Sequence, residues 1–302
     1  MNTNMKTKMC MALFAATLSL TSAAFAQQTY PTPEAASAAL VDALGRSKAD
    51  QAKLASLLGS DWKDYVPVGG VERKDVDAFL EKYRERHSFK VRKDGLRELV
   101  VGEDSWTLPI PMTKVADGWR FDLAAGKEEI RTRRIGQNEL DLLQIVRAYH
   151  DAQMDYAEVD HDADGVLEYA QQFVSTDGKH DGLFWAEDDS GQVSPLGPAF
   201  GDDSPDGIYN GYRYRILKSQ GVSAPGGAQD YMLGQDMSRG FSLVAWPADY
   251  GDTGIMTFMI GYDGQIFERD LGKQTDKIAR EMKNFDPDSA WKEVLDTPVS
   301  QR

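Results

Sequence analysis

The feature that most constrains the fold is a continuous helical repeat in the middle of the chain, from Lys127 to Val159. Its apolar residues recur at close to 3.6-residue spacing, which places them on one stripe of a long helix. The stripe comprises Ile135, Leu142, Ile145, Val146, Tyr149 and Met154. An apolar stripe of this length has to be buried against a second layer of structure, so the chain must supply a surface for it.

Downstream of the helix the hydrophobic period changes to two, which predicts β-strands. Four runs show this period: YNGYRYRIL, GFSLVAWPA, TGIMTFMIGY and QIFERDL. The last two are joined by Tyr262-Asp263-Gly264-Gln265, and an Asp-Gly pair between alternating runs is a strong hairpin signal. We therefore expect residues 127–272 to form a long helix packed on a four-stranded antiparallel sheet, with a C-terminal helix and tail over 273–302.

The preceding segment, residues 27–126, combines helices with short extended runs. Two helices are predicted around a break near Gly45, and a third is predicted from Lys74 to Arg86. Three extended runs follow, and Pro109 and Pro111 mark the middle one as an edge or bulged strand. These elements indicate a compact unit with a small curved antiparallel sheet, so the fold class of the chain is α+β in two domains.

Residues 1–26 have the pattern of a secretion signal. Lys6 and Lys8 precede an apolar run from Met9 to Leu20, and Ala24-Phe25-Ala26 supplies a small-x-small cleavage site. Cleavage after Ala26 would leave Gln27 as the first residue. We therefore expect a periplasmic or secreted protein.

Charge and cysteine usage exclude several kinds of chemistry. The only cysteine, Cys10, lies within the predicted signal, so the mature chain would have neither disulfides nor a catalytic thiol. The net charge of −14 becomes −16 when Lys6 and Lys8 are removed, which argues against a nucleic-acid partner because phosphate binding needs clustered basic residues.

After the signal, no segment reaches the ~20 apolar residues of a membrane-spanning helix, so no transmembrane span is expected.

The stretch VDHDADGVLEY suggests a calcium loop. Asp160, Asp162, Asp164 and Gly165 occupy positions 1, 3, 5 and 6 of an EF-hand-type loop. Calcium prefers six to eight oxygen ligands, and aspartates at alternate positions on a tight turn can bring three of them together. The alternative interpretation is a polar turn that merely ends the long helix.

The remaining calcium ligands would come from the next residues. Val166 would offer its carbonyl at position 7, and Glu168 falls at position 9. Gln171 stands at position 12, where a bidentate glutamate is usual, so we expect an affinity on the order of 10⁻⁴ M, as in extracellular modules. Calcium, if bound, would be structural, and the run VLEYAQQFV is expected to resume a helix.

Catalytic motifs are missing from the sequence. It contains no G-x-S-x-G elbow and no histidine pair at metal-ligand spacing, so no catalytic residue is predicted. His150 is expected to form a surface pair with Asp151 and Asp155, and His161 is expected to point outward.

Two further groups of residues could bind or act on a ligand. Most aromatic residues of the strand region should pack in the core, but Trp246, Tyr250, Tyr212 and Tyr214 are candidates for a groove that binds a glycan or peptide. Carboxylates crowd the strand ends, and paired carboxylates hydrolyse glycosides when they lie about 5 to 9.5 Å apart. These carboxylates are Asp249, Asp252, Asp263, Glu268 and Asp270.

Several long motifs resemble a known bacterial family. GWRFDLAAGKEEIRTRRIGQNEL, DGVLEYAQQF, GYRYRILKSQG and GFSLVAWPADYGDTGIMTFMIGYDGQIFERDLG together resemble DUF2950, whose function is unassigned. The resemblance implies an exported envelope protein and supplies no catalytic residues. Residues 129–272 also resemble the globular part of type IV pilins and pseudopilins, although an α+β domain precedes the long helix here. The first domain is similar to NTF2-like cones.

These observations leave three functions open. The first is a non-catalytic periplasmic accessory or binding module, stabilised by calcium and contacting an unidentified envelope protein or glycan. The second is an envelope glycan or peptidoglycan hydrolase that uses the strand-end carboxylates. The third is the binding of a small ligand by the cone-like first domain.

The signal predicts the first residue of the mature protein. When the full chain is expressed in a bacterium, N-terminal sequencing of the exported protein should read Gln27-Gln28-Thr29. Retention of the first 26 residues, or cleavage at another site, would contradict the prediction.

Overall fold

The computed structural model describes residues 27–66, 71–187, 191–197 and 207–295. The predicted secretion signal lies outside these residues. The chain divides into two compact units, residues 1–126 and 127–302. Each unit contains helices and antiparallel strands, so the chain has the predicted α+β fold.

In its described residues, the first unit contains four helices and a small sheet. The helices are α1 (Pro33–Leu44), α2 (Gln51–Leu58), α3 (Trp62–Tyr65) and α4 (Arg73–Glu85). The strands are β1 (His87–Val91), β2 (Arg97–Val101), β3 (Trp106–Thr107), β4 (Met112–Val115) and β5 (Gly118–Phe121). All pairings are antiparallel in the order β1-β2-β4-β5, and β3 pairs with β2.

Local signals explain where these elements begin and end. The Thr32 side chain accepts a hydrogen bond from the Ala35 amide at the start of α1, and the Asp50 side chain caps α2 in the same way. Prolines 109 and 111 separate β3 from β4, as expected of residues that cannot donate to a strand ladder. Helices α1 and α2 pack on β5, whereas α4 packs on β1 and β2.

Strand β1 is missing from the sequence prediction. Four of its five residues are exposed, so both of its faces meet solvent and its hydrophobic alternation is weak. The strand is held by its five-residue antiparallel register with β2, from His87 opposite Val101 to Val91 opposite Arg97.

The second unit is built on α5 (Leu123–Tyr156) and a six-stranded antiparallel sheet. Helix α5 begins four residues before the predicted position, because the Asp122 side chain accepts a hydrogen bond from the Ala125 amide at 2.9 Å and caps it there. The sheet runs β13-β12-β11-β10-β7-β6. Its strands are β6 (Ile208–Tyr209), β7 (Tyr212–Leu217), β10 (Ser242–Pro247), β11 (Met256–Gly261), β12 (Ile266–Asp270) and β13 (Lys292–Glu293).

The four predicted strands correspond to β7, β10, β11 and β12, and two-residue strands are added at the two edges. The Asp263-Gly264 turn joins β11 to β12 as predicted. An Asn210-Gly211 turn joins β6 to β7, with both residues at positive φ. A separate two-stranded ribbon pairs β8 (Ser219–Gln220) with β9 (Gln229–Asp230).

The apolar stripe of α5 packs on one face of this sheet. Leu142, Val146 and Tyr149 belong to a buried cluster with residues of β7, β10 and β11. The opposite face is covered by α6 (Thr275–Glu281) and the tail that follows it, through a second cluster that includes Trp246 and Phe285. Because both faces are covered, every residue of β10 is buried.

A half-buried arginine links α6 to the sheet. Arg215 of β7 donates hydrogen bonds to the carbonyls of Arg280 at 2.9 Å, Ala279 at 2.6 Å and Met282. These carbonyls lie at the C-terminal end of α6, so the guanidinium caps the helix and opposes the negative end of its dipole. Burial lowers the pKa of Arg215.

The predicted helix over VLEYAQQFV is wrong. Residues 166–174 contain no helix, because their backbone groups pair with partners that are distant in sequence. The Tyr169 amide donates to the Met237 carbonyl at 2.9 Å, and the Phe173 carbonyl accepts from the Phe184 amide at 2.8 Å.

Replacing glycine by alanine should have opposite effects on the free energy of unfolding at two positions. A Cβ at Gly254 would lie 2.1 Å from the Tyr212 hydroxyl, so Gly254→Ala should lower the free energy of unfolding by about 1–3 kcal/mol. Gly136 lies in α5 with no atom within 4 Å of an added Cβ, so Gly136→Ala should raise it by about 0.5–1 kcal/mol. Urea denaturation of both variants checks the prediction, and the same sign in both would contradict it.

Candidate metal centre

The aspartate loop follows the end of α5 directly. Helix α5 ends at Tyr156, and the backbone then turns through Ala163 and Gly165, which have φ values of +62° and +90°. The Asp160 carboxylate accepts hydrogen bonds from the Ala163 amide at 2.8 Å and the Gly165 amide at 2.9 Å. The first aspartate therefore stabilises the turn, and the glycine supplies the conformation that a sharp bend needs.

The loop brings three carboxylates together. Oxygen atoms of Asp160, Asp162 and Asp164 all lie within 4.8 Å of one another. Asp162 and Asp164 each also accept a hydrogen bond from an amide two residues ahead, at 3.2 and 2.8 Å. Calcium prefers hard oxygen ligands, and three carboxylate oxygens at this separation match part of the shell that it requires. In the part of the chain that the structure describes, this is the one group of three or more acidic, histidine or cysteine residues with that geometry.

Glu168 lies within electrostatic reach of the loop. Its side chain is partly buried, and this burial is the main reason that its pKa is raised; the charges of Asp162, Asp236 and Asp164 act in the same direction. By contrast, hydrogen bonds from loop amides, that of Gly165 first, lower the pKa of Asp160. The group of carboxylates within 4.8 Å of one another does not include Glu168, so the structure relates Glu168 to the loop only through the charges of Asp162 and Asp164.

Gln171, the predicted ligand at position 12, is engaged elsewhere. Its amide nitrogen donates to the Gln235 carbonyl at 2.7 Å, and its oxygen accepts from the Lys218 ammonium at 2.7 Å. The Val166 amide donates to Asp164 at 2.8 Å. The structure therefore brings together the three aspartates and places Glu168 near them, but it does not bring Gln171 to the loop.

His161 points inward rather than outward. Its ring stacks on Tyr156 with centroids 4.0 Å apart and lies edge-on to Trp185 at 5.7 Å. Its Nε2 atom lies 3.1 Å from the Tyr156 carbonyl oxygen. Burial is the main cause of its lowered pKa. Within the loop, Asp162 and Asp164 are therefore exposed to solvent, whereas the His161 ring packs against Tyr156 and Trp185.

The Gln153 side chain fixes the segment that follows the aspartate loop. This residue is fully buried in α5, and its side chain donates to the Ala170 carbonyl at 2.9 Å and accepts from the Ala170 amide at 2.8 Å. It also donates to the Tyr149 hydroxyl at 3.0 Å. One side chain therefore satisfies both backbone groups of Ala170 at a depth that water does not reach.

The four aromatic residues proposed for a groove do not share a surface. Tyr212 and Tyr214 pack with α5 on one face of the sheet, and Trp246 is buried with α6 on the other. Tyr250 donates to the Asp270 carboxylate at 3.2 Å. Strand alternation places Tyr214 and Trp246 on opposite faces, because Trp246 is paired with Arg213 rather than with Tyr214.

Four of the five strand-end carboxylates have local partners, including Asp270, which accepts from Tyr250. Asp252 pairs with Arg134, Glu268 lies 3.4 Å from the Lys292 ammonium, and Asp263 accepts from the Gln265 amide. His150 contacts the same end of the sheet, because its Nε2 atom lies 3.0 Å from the Tyr262 carbonyl oxygen. It also makes the predicted contact with Asp151. The contacts are those of turns and surface ion pairs.

The first unit contains a cleft of about 310 Å³. It lies between the end of α2, the short helix α3 and the junction of β5 with α5. Its charged lining residues are Asp61, Arg120 and Asp122, and Gln27 lies at its wall. No signal in the sequence marked this cleft, because its residues come from three separate parts of the chain.

The comparisons with known proteins identify a family but no activity. The chain matches a family model described as a protein of unknown function, DUF2950, over residues 27–294. The match covers nearly the whole chain, so this protein belongs to that family, as its motifs predicted. No curated protein and no solved structure matches it. The pilin-like and NTF2-like resemblances of the two halves stay predictions.

Gln153 provides a test of how the loop is held. In Gln153→Leu the backbone amide and carbonyl of Ala170 would lose their partner inside the core, so the free energy of unfolding should fall by about 2–4 kcal/mol. Gln172→Leu is the matched control, because Gln172 is partly exposed and makes its hydrogen bonds near the surface. Chemical denaturation measures both, and equal losses in the two variants would contradict the assignment.

Proposed function

We propose that this protein is an exported, non-catalytic accessory or binding module of the bacterial cell envelope, and that calcium stabilises its second unit. The single observation that carries the proposal is the convergence of the Asp160, Asp162 and Asp164 carboxylates on a D-x-D-x-D-G turn. The secretion signal supports export, because it would deliver the chain to a compartment where free calcium is abundant enough for a weak site.

A structural role for the ion follows from the position of the loop. The loop connects α5, the element that packs on the large sheet, to the segment that Gln153 fastens beside it. Three like charges within 4.8 Å repel one another, and a divalent cation removes that repulsion. Calcium binding should therefore favour the folded state of this part of the chain over the unfolded one.

An accessory role accords with the remaining charged residues. Among the described residues, Asp252 and Glu268 are held in surface ion pairs and Asp263 accepts from a turn amide, and none of the five strand-end carboxylates lines the cleft of the first unit. No helix in the described residues is both long enough and apolar enough to cross a bilayer. The partner that we propose is an envelope protein or glycan.

Calcium should raise the melting temperature of the protein. With a dissociation constant on the order of 10⁻⁴ M, about 10 mM calcium stabilises the folded state by about 2.7 kcal/mol, which corresponds to a shift of roughly 5–10 °C. Differential scanning calorimetry at constant ionic strength measures the shift, and an unchanged melting temperature would contradict the proposal.

Single substitutions distinguish calcium binding at the aspartate loop from a general screening of the protein's negative charge. Asp162→Asn keeps the oxygen that accepts from the Asp164 amide but removes one ligand charge, so it should abolish most of the calcium shift. Asp177→Asn, in an exposed turn and outside the group of three converging carboxylates, should leave the shift intact. Magnesium at the same concentration should stabilise less, because it demands a tighter octahedral shell.

A further inference from the structure

The cleft of the first unit holds the chain at Gln27. The Gln27 side-chain amide donates to the Leu57 carbonyl at 2.9 Å and to the Phe121 carbonyl at 2.8 Å. The next residues continue this anchoring, because the Gln28 amide donates to the Ser56 carbonyl at 2.8 Å and Tyr30 exchanges two backbone hydrogen bonds with Trp119. Gln27 is therefore fixed between α2 and β5.

The charges around Gln27 do not balance. Asp61 and Asp122 line the cleft together with Arg120, which gives these three residues a net charge of −1. Asp61 stands at the N-cap position of α3 but makes no side-chain capping hydrogen bond. Asp122 uses one carboxylate oxygen to cap α5. A single positive charge at Gln27 would bring the cleft to neutrality.

We propose that removal of residues 1–26 creates that charge, and that the new amino group of Gln27 docks in the cleft against Asp61 and Asp122. The inference rests on the proposed export with cleavage after Ala26, and the family match also begins at residue 27. Processing then completes the charge balance of the first unit: the unprocessed chain has a neutral peptide bond at Gln27, and the processed chain has an ammonium group.

The ion pair has a defined dependence on pH. An α-amino group has a pKa of about 7.7–8.0 in an unstructured peptide, and neighbouring carboxylates raise that pKa in the folded state. The stabilisation is therefore fully present below about pH 7.7 and is lost as the pH rises through the raised value. The other charged or titratable groups that line the cleft are Arg120 and Tyr65, of which the arginine stays charged throughout this range.

Docking also requires that the N-terminal Gln27 does not cyclise. An N-terminal glutamine can cyclise when its α-amine attacks its own side-chain Cδ and ammonia leaves. The resulting lactam has neither the ammonium charge nor the amide donor that binds Leu57 and Phe121. Mass spectrometry must therefore show that the protein has not lost ammonia before its stability is measured.

The test compares two proteins that differ by one residue. The chain that begins at Gln27 is released from a fusion by a protease that leaves no additional residue, and the second chain begins at Ala26. The extra residue moves the ammonium group by about 3.8 Å and puts a peptide bond at Gln27. At pH 7 the melting temperature should be roughly 2–5 °C higher for the chain that begins at Gln27, and the difference should vanish near pH 10.

Substitutions of the cleft aspartates test whether the difference in melting temperature between the two chains arises in the cleft. In Asp61→Asn the two chains should differ by less than about 1 °C, whereas in Asp64→Asn, a change on the same short helix outside the cleft, the full difference should persist. Asp122→Asn should also reduce the difference, and asparagine still caps α5, so this variant remains folded. Because each comparison is made within one variant, a general loss of stability does not obscure it.

Three results would overturn the proposal. These are equal melting temperatures for the two chains at pH 7, a difference that persists near pH 10, and an undiminished difference in Asp61→Asn. Stabilisation of both chains alike by millimolar ethylammonium would assign the cleft to a free small cation instead. N-terminal sequencing of the exported protein is a separate measurement: another cleavage site would refute the proposed processing, whereas equal stability of the two purified chains would refute docking itself.

Discussion

Burial of the apolar stripe of α5 on the large antiparallel sheet is the interaction on which the second unit depends. Leu142, Val146 and Tyr149 lose nearly all contact with solvent when they pack on β7, β10 and β11. Burial of apolar surface is the dominant favourable contribution to folding, and a helix of this length cannot provide it alone. The sheet in turn needs α6 and the tail on its other face, because β10 is apolar on both sides.

Buried and half-buried polar side chains fix the paths of the loops in the second unit. Gln153 binds both backbone groups of Ala170, Arg215 binds the end of α6, and Glu139 accepts from the amides of Ile255 and Met256. Each supplies hydrogen bonds that an irregular backbone segment would otherwise lose on burial. The aspartate loop is presented to solvent because the segments before and after it are both fixed to α5.

The two proposed sites use electrostatics in the same way. Three carboxylates lie within 4.8 Å of one another in the aspartate loop, and two carboxylates line the Gln27 cleft with one arginine, so each site has an excess of negative charge. The proposed cation is calcium at the aspartate loop and the ammonium group of the processed chain at the Gln27 cleft. Both cations would become available only on export, so folding of each unit would be completed in the envelope.

The long helix, four strands, the Asp263-Gly264 hairpin and the convergence of the three loop aspartates could be predicted from the sequence, because each depends on periodicity or turn chemistry within a few residues. The tertiary structure alone decided what depends on distant partners. Residues 166–174 are not helical because their backbone groups bind Met237, Phe184 and Gln153. Gln171 binds Gln235 and Lys218, and the Gln27 cleft joins three segments that only folding brings together.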